Sequence, residues 1–183
     1  MDLNENVVGS RRIHEGRIVN LRIDTVVLPD GRHAEREIVE HSGAIAAVPV
    51  DHDGRVLLVR QFRLAAGKPL LEIPAGGIEV GEEPADCAAR ECAEEIGQTP
   101  RRLTPLFSAW VAPGYATEII HCFLAEDLVD DRKPGDHDEF VEVVSATWDE
   151  IDAWISDGSI QDMKSIAALG VAKRVLANAS DTA

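Results

Sequence analysis

β-Branched and apolar residues dominate Val7–Val27, which then meets the turn signal Pro29-Asp30-Gly31. A second strand is predicted over Glu35–His41, so the N-terminal stretch reads as a hairpin or small antiparallel sheet. Two apolar runs, Ala44–Val50 and Arg55–Arg63, flank Asp51-His52-Asp53-Gly54. Asp-Gly between such runs is a strong hairpin signal. Leu70–Ile73 is short and apolar and ends at Pro74, ahead of Gly76-Gly77. The best helix candidate is Glu83–Ile96, because Pro84 suits its first turn and Gly97 the position past its end. Leu103–Trp110 and Glu118–Leu124 read as strands around the loop Val111–Tyr115. Asp130–Asp138 is a polar loop with Pro134-Gly135, and Phe140–Ala146 alternates as a strand. Trp148–Ser156 and Ser165–Leu176 read as helices. Strands outnumber helices in a mixed order, which predicts an α+β class.

Composition narrows the function. The chain has 183 residues, 45% of them hydrophobic, enough for one cored domain or one domain with a small appendage. Its formal net charge is −15. Such a surface repels nucleic acid and anionic membranes, so no nucleic-acid partner is expected. An anionic substrate would need a positive intermediary, for which a divalent metal is the natural candidate. Cys87, Cys92 and Cys122 form no CxxC pair and read as buried small hydrophobes in a reducing compartment. The apolar runs are too short to span a bilayer, and MDLNENVVGSRR lacks the pattern of a signal peptide. The expectation is a soluble, cytoplasmic protein with no membrane partner.

The informative segment is Gly76–Gln98. On the predicted helix, Glu91, Glu94 and Glu95 stand at i, i+3 and i+4, which puts their carboxylates on one face. Like charges so placed destabilise a helix, and Glu82 and Glu83 add to the charge nearby. A hard cation with oxygen ligands reverses that cost, and Mg²⁺ or Mn²⁺ fits best. Arg90 offers a local counter-charge to Glu82. A solvated acidic face would carry the same glutamates. The glycines weigh against it, because Pro74-Ala75-Gly76-Gly77 and Gly81 allow backbone carbonyls to turn toward the same ion.

Gly76, Glu82 and then Arg90-Glu91-Cys92-Ala93-Glu94-Glu95-Ile96-Gly97 resemble, in spacing and type, the Nudix box. Cys92 and Gln98 stand where an aliphatic residue is usual, and neither is a ligand position. Further stretches resemble the ADP-ribose pyrophosphatase branch of the Nudix hydrolases. They are Leu28–Arg32, Arg36–His41, Val59–Arg63, Leu71–Gly76, Ala112-Pro113-Gly114 and Asp162–Ile166. The resemblance implies a Nudix fold, an α/β/α sandwich around a mixed β-sheet, over residues 43–183. A small N-terminal antiparallel sheet over residues 1–42 would serve dimerisation and the substrate pocket, since members of the branch are typically homodimers.

The implied reaction is hydrolysis of a diphosphate that links a nucleoside to another group. By the family pattern Glu91 and Glu95 would be the main metal ligands, with the Ala75 carbonyl as another and Glu94 serving an additional ion. Glu95 and Glu139 would be the catalytic groups. Glutamates bound to metal are poor bases, so the resemblance puts a further glutamate in the loop before the late strand, and Glu139 matches it best. Glu118 is a rival base, favoured here as a substrate contact. Arg63 and Arg36 are candidate cations for the diphosphate. The early strands contain no aromatic platform for a purine, leaving Ile18, Val19 or Ile38 for that task. The expected activity is Mg²⁺-dependent cleavage of ADP-ribose to AMP and ribose 5-phosphate. The alternatives are a pyrophosphatase for another nucleoside diphosphate sugar, UDP- or ADP-linked, and a non-catalytic module that senses nucleotide sugars. The full set Glu91, Glu94 and Glu95 argues against the last.

Overall fold

Gly16 divides the first β-branched stretch into two strands, β1 (Asn6–Glu15) and β2 (Asn20–Val27). Its N–H donates to the Val19 carbonyl at 3.2 Å and to Asn20 Oδ1 at 3.1 Å. With β3 (His33–Glu40) they form an antiparallel sheet in the order β1-β2-β3, one strand more than a simple hairpin. The predicted turn is present: the Leu28 N–H donates to the Arg32 carbonyl, and Gly31 takes φ 84°. Val39 exchanges backbone hydrogen bonds with Tyr115 and Thr117, which ties a distant loop to this sheet. The computed structural model describes residues 2–135 and 140–180. It divides into two units, one running to Gly43 and taking in Ala109–Ile119, the other comprising Ala44–Ser108 and the chain from Ile120 onward.

In the second unit, β4 (Ala44–Pro49) is buried at every residue, and β5 (Val56–Arg63) is buried over its first four. The turn between them forms as predicted: the Gly54 N–H donates to the Asp51 carbonyl at 3.0 Å, and Gly54 takes φ 75°. The predicted hairpin pairing does not form. Among the described residues one bridge, Val50 to Val56, joins these strands before they part into different sheets. Strands buried on both faces occupy sheet interiors. Accordingly β5 sits between β10 (Val141–Ala146) and β6 (Lys68–Glu72). β4 sits between β7 (Ala75–Gly77) and β9 (Ile119–Asp130), with β8 (Gln98–Trp110) beyond. The β4–β9 pairing is parallel and β4–β7 antiparallel, so this sheet is mixed. β9 runs through Asp130, which delays the polar loop predicted to begin there.

Three helices complete the unit: α1 (Pro84–Glu95), α2 (Trp148–Ser156) and α3 (Met163–Ser180). Pro84 opens α1 and Gly97, at φ 75°, follows its end. The apolar face of α1 reaches both sheets. Cys92 and Ile96 pack with Ala47 and Ala125 of one and with Leu57 and Val59 of the other, while Cys87 and Ala88 meet Ile45 and Phe123. Burial pushes the Cys87 and Cys122 thiols up to about 12. No helix among the described residues is long and apolar enough to cross a membrane.

Candidate active site

The packing of α1 turns its glutamates toward β7. Glu91 and Glu95, one turn apart, are only 8% and 6% exposed. Glu95 Oε2 accepts the Ala75 N–H at 3.0 Å. Glu91 occupies the space a side chain at position 76 would need: a Cβ on Gly76 would lie 1.9 Å from Glu91 Oε1. Glycine at 76 is therefore the condition for lodging a carboxylate against the strand. Burying an ionised carboxyl is costly unless it is hydrogen-bonded and paired.

Arg90 supplies the pairing. Its guanidinium donates to Glu91 Oε1 at 2.7 Å, to Glu94 Oε2 at 3.0 Å and to both oxygens of Glu82 at 2.8 and 3.0 Å. The Arg90 hydrogen bond is the main cause that holds the Glu82 carboxyl down to about 2, well below its ordinary 4.5. Glu82 also accepts the Glu79 N–H at 3.0 Å, which closes the loop ahead of the helix. Glu82, Glu91 and Glu94 thus share one guanidinium, while Glu95 accepts the Ala75 N–H one turn further along the helix. Several carboxylates gathered beside a bare glycine strand fit a hard divalent cation. A small cavity of about 240 Å³ is lined by Ala75, Gly76, Arg90, Glu91 and Glu94. A larger one, of about 500 Å³, is lined by Glu94, Glu95, Arg132, Lys133 and Val141. Glu94 lines both, so an anion in the larger cavity would border the carboxylates.

The structure thus brings Ala75, Glu91, Glu94 and Glu95 together. Arg63 stands on β5, where Nε and Nη2 form a fork on Glu72 of β6 at 2.9 and 3.0 Å. Arg36 of β3 makes a similar fork on Glu5 at 2.9 and 2.6 Å. Both Arg36 and Glu118 belong to the first unit, and Glu118 Oε1 lies 3.9 Å from His41 Nδ1. Glu139 lies outside the described residues. Sequence reasoning gave no role to Arg132, Lys133, Glu72 or Lys164. Glu72 left a signal, as a lone acid inside the apolar Leu70–Ile73 segment. Asp51, His52 and Asp53 also cluster, within 4.8 Å of one another, but Asp51 Oδ1 is engaged by the N–H groups of Asp53 and Arg55 as part of the turn.

The profile of the NUDIX domain matches residues 40–168. The chain belongs to the Nudix family. Residues 5–39 match the nucleoside diphosphate sugar hydrolase N-terminal domain. An ADP-ribose pyrophosphatase of Bacillus subtilis (strain 168) is 38% identical over 169 residues, covering 91% of each chain. A methanol dehydrogenase activator of Bacillus methanolicus is 37% identical over 167 residues, covering 90% of each. A crystal structure of an ADP compounds hydrolase superposes with a TM-score of 0.87 over 97% of both chains at 21% identity, which shows the shared fold. The chain is a Nudix hydrolase, and enzymes of this family work with a divalent metal.

Two outcomes follow from this geometry. Gly76→Ala pushes the Glu91 carboxylate off β7, so turnover should fall by orders of magnitude while far-ultraviolet circular dichroism stays unchanged. Glu82 has a folded pKa near 2 against an ordinary 4.5, so its stabilising effect is complete above about pH 4.5 and is lost as pH falls toward 2. Urea midpoints of wild type and Glu82→Gln should therefore differ most near neutrality and converge in acid.

Proposed function

We propose that this Nudix hydrolase cleaves the diphosphate of ADP-ribose, with water, to AMP and ribose 5-phosphate, using Mg²⁺. The observation that carries this reading is the likeness to the Bacillus subtilis ADP-ribose pyrophosphatase over nearly the full length of both chains. The buried glutamates of α1, lodged against a glycine strand, support it.

Glu91, Glu95 and the Ala75 carbonyl would hold the cation, and Glu94 a further one. Bound there, such ions neutralise phosphate charge and acidify water. Arg90 keeps Glu91 and Glu94 in place, and Glu82 keeps Arg90 in place. Arg63 meets the diphosphate, with Arg36 and Glu118 as further substrate contacts. Glu139, just ahead of Phe140 and β10, takes the proton of the attacking water, a role open to a carboxylate that no metal holds. Positioning and charge neutralisation supply most of the acceleration in phosphoryl transfer. The protein would act as a cytoplasmic homodimer.

A second reading, hydrolysis of another nucleoside diphosphate sugar, is favoured by the N-terminal match to nucleoside diphosphate sugar hydrolases and by β1–β3, which contain no Phe, Tyr or Trp. A panel of ADP-ribose and ADP-, UDP- and GDP-linked sugars with Mg²⁺, products identified by mass, separates the two. AMP and ribose 5-phosphate from ADP-ribose at the highest kcat/KM is the expected outcome; a preference for a UDP- or GDP-sugar would establish the second reading. In the same assay Glu95→Gln and Glu139→Gln should each lower kcat by orders of magnitude. A normal kcat in Glu139→Gln together with a lost kcat in Glu118→Gln would transfer the base to Glu118.

A further inference from the structure

Glu72, the last residue of β6, is 2% exposed and is the lone acid in the apolar segment Leu70–Ile73. Beyond the Arg63 fork, its Oε2 accepts Lys164 Nζ, from the second residue of α3. Lys164 also donates to Asp162 Oδ2 at 2.9 Å. That oxygen accepts the Ser165 N–H at 2.9 Å and the Ser165 hydroxyl as well. Ser165, fully buried, accepts the Ile73 N–H at 2.9 Å. The first turn of α3 is thereby fastened to two successive residues of the chain, Glu72 and Ile73, just ahead of Pro74 and β7.

The group balances its charges, with Arg63 and Lys164 against Glu72 and Asp162. Balance makes the burial of Glu72 tolerable, and it also means that the group adds no net attraction for an anion. What it supplies is direction. A carboxylate fork fixes the plane of a guanidinium, and the plane of the fork follows the orientation of the carboxylate. Glu72 could rotate about its side-chain bonds; Lys164, itself held by Asp162, pins one of its oxygens. Burial alone would raise the Glu72 carboxyl, but the Arg63 hydrogen bond and the Lys164 charge outweigh it and hold the group below the usual range. The pair therefore persists across neutral pH.

We propose that Lys164 is a positioning residue of the hydrolytic site, which through Glu72 fixes the plane of the Arg63 guanidinium presented to the substrate diphosphate. This rests on the reading of Arg63 given under the proposed function. The test is a kinetic cycle on the full chain, with ADP-ribose and saturating Mg²⁺, comparing wild type, Lys164→Met, Arg63→Ala and the double variant. Lys164→Met should raise KM about tenfold and leave kcat within about twofold, without moving the Mg²⁺ concentration for half-activation. Lys164→Arg should restore most of the loss. In the Arg63→Ala background, Lys164→Met should add nothing.

An unchanged KM in Lys164→Met, beside a raised KM in Arg63→Ala, would overturn the positioning role alone. The same would follow if the Lys164→Met defect appeared undiminished in the double variant, since Lys164 would then only fasten α3. An unchanged KM in Arg63→Ala would overturn the reading of Arg63, and this proposal with it. Should Lys164→Met fail to fold, Lys164→Gln, which keeps a donor and most of the stem, takes its place in the cycle.

Discussion

Two carboxylates one helical turn apart are held nearly out of water, and the rest of the site is arranged so that they can be. Glu91 lies where a side chain at position 76 would be, and Glu95 takes the N–H of Ala75. Each contact needs β7 to approach α1 closely, and that approach needs small residues on the strand. Arg90 bridges Glu91 and Glu94 and relieves repulsion between them. A helix of neutral residues would pack here more easily; this one trades stability for a place where a divalent charge is welcome.

The strand that accepts the glutamates is secured from two sides. α1 grips Ala75 through Glu95, and α3 grips Ile73 and Glu72 through Ser165 and Lys164. Pro74 lies between these holds, and its carbonyl accepts the Ala47 N–H of the central strand β4. The short run from Glu72 to Gly77 thus carries, in order, the partner of a candidate diphosphate cation, a fixed backbone and the glycine that receives a candidate metal ligand. Chemistry is concentrated where the backbone is best held, as preorganisation requires.

Much of this was legible in the chain itself, because the decisive signals are local. Pro84 and Gly97 bracket α1, and glutamates at i, i+3 and i+4 must share a face whatever surrounds them. The Gly16 turn was hidden because Gly-Arg-Ile-Val lacks the usual turn partners. At Asp53-Gly54 the turn was right and the pairing wrong: turn geometry depends on four residues, whereas the partner of a strand depends on the whole sheet. Glu72 and Lys164 are far apart in the chain and meet only through tertiary packing, so spacing could not join them. Glu139 falls outside the described residues, and its role stands on resemblance.

The parallel alignment of β4 with β9 has a bearing on how the protein comes into being. Ala46 lies beside Cys122, so the middle of the mixed sheet cannot close until most of the chain has left the ribosome. Pairings between such distant segments slow the search for the native state. Meanwhile β4, apolar throughout, can meet β7 but keeps the flank that β9 will cover open in the nascent polypeptide. That open flank is where the growing chain is exposed to intermolecular strand pairing until β9 arrives.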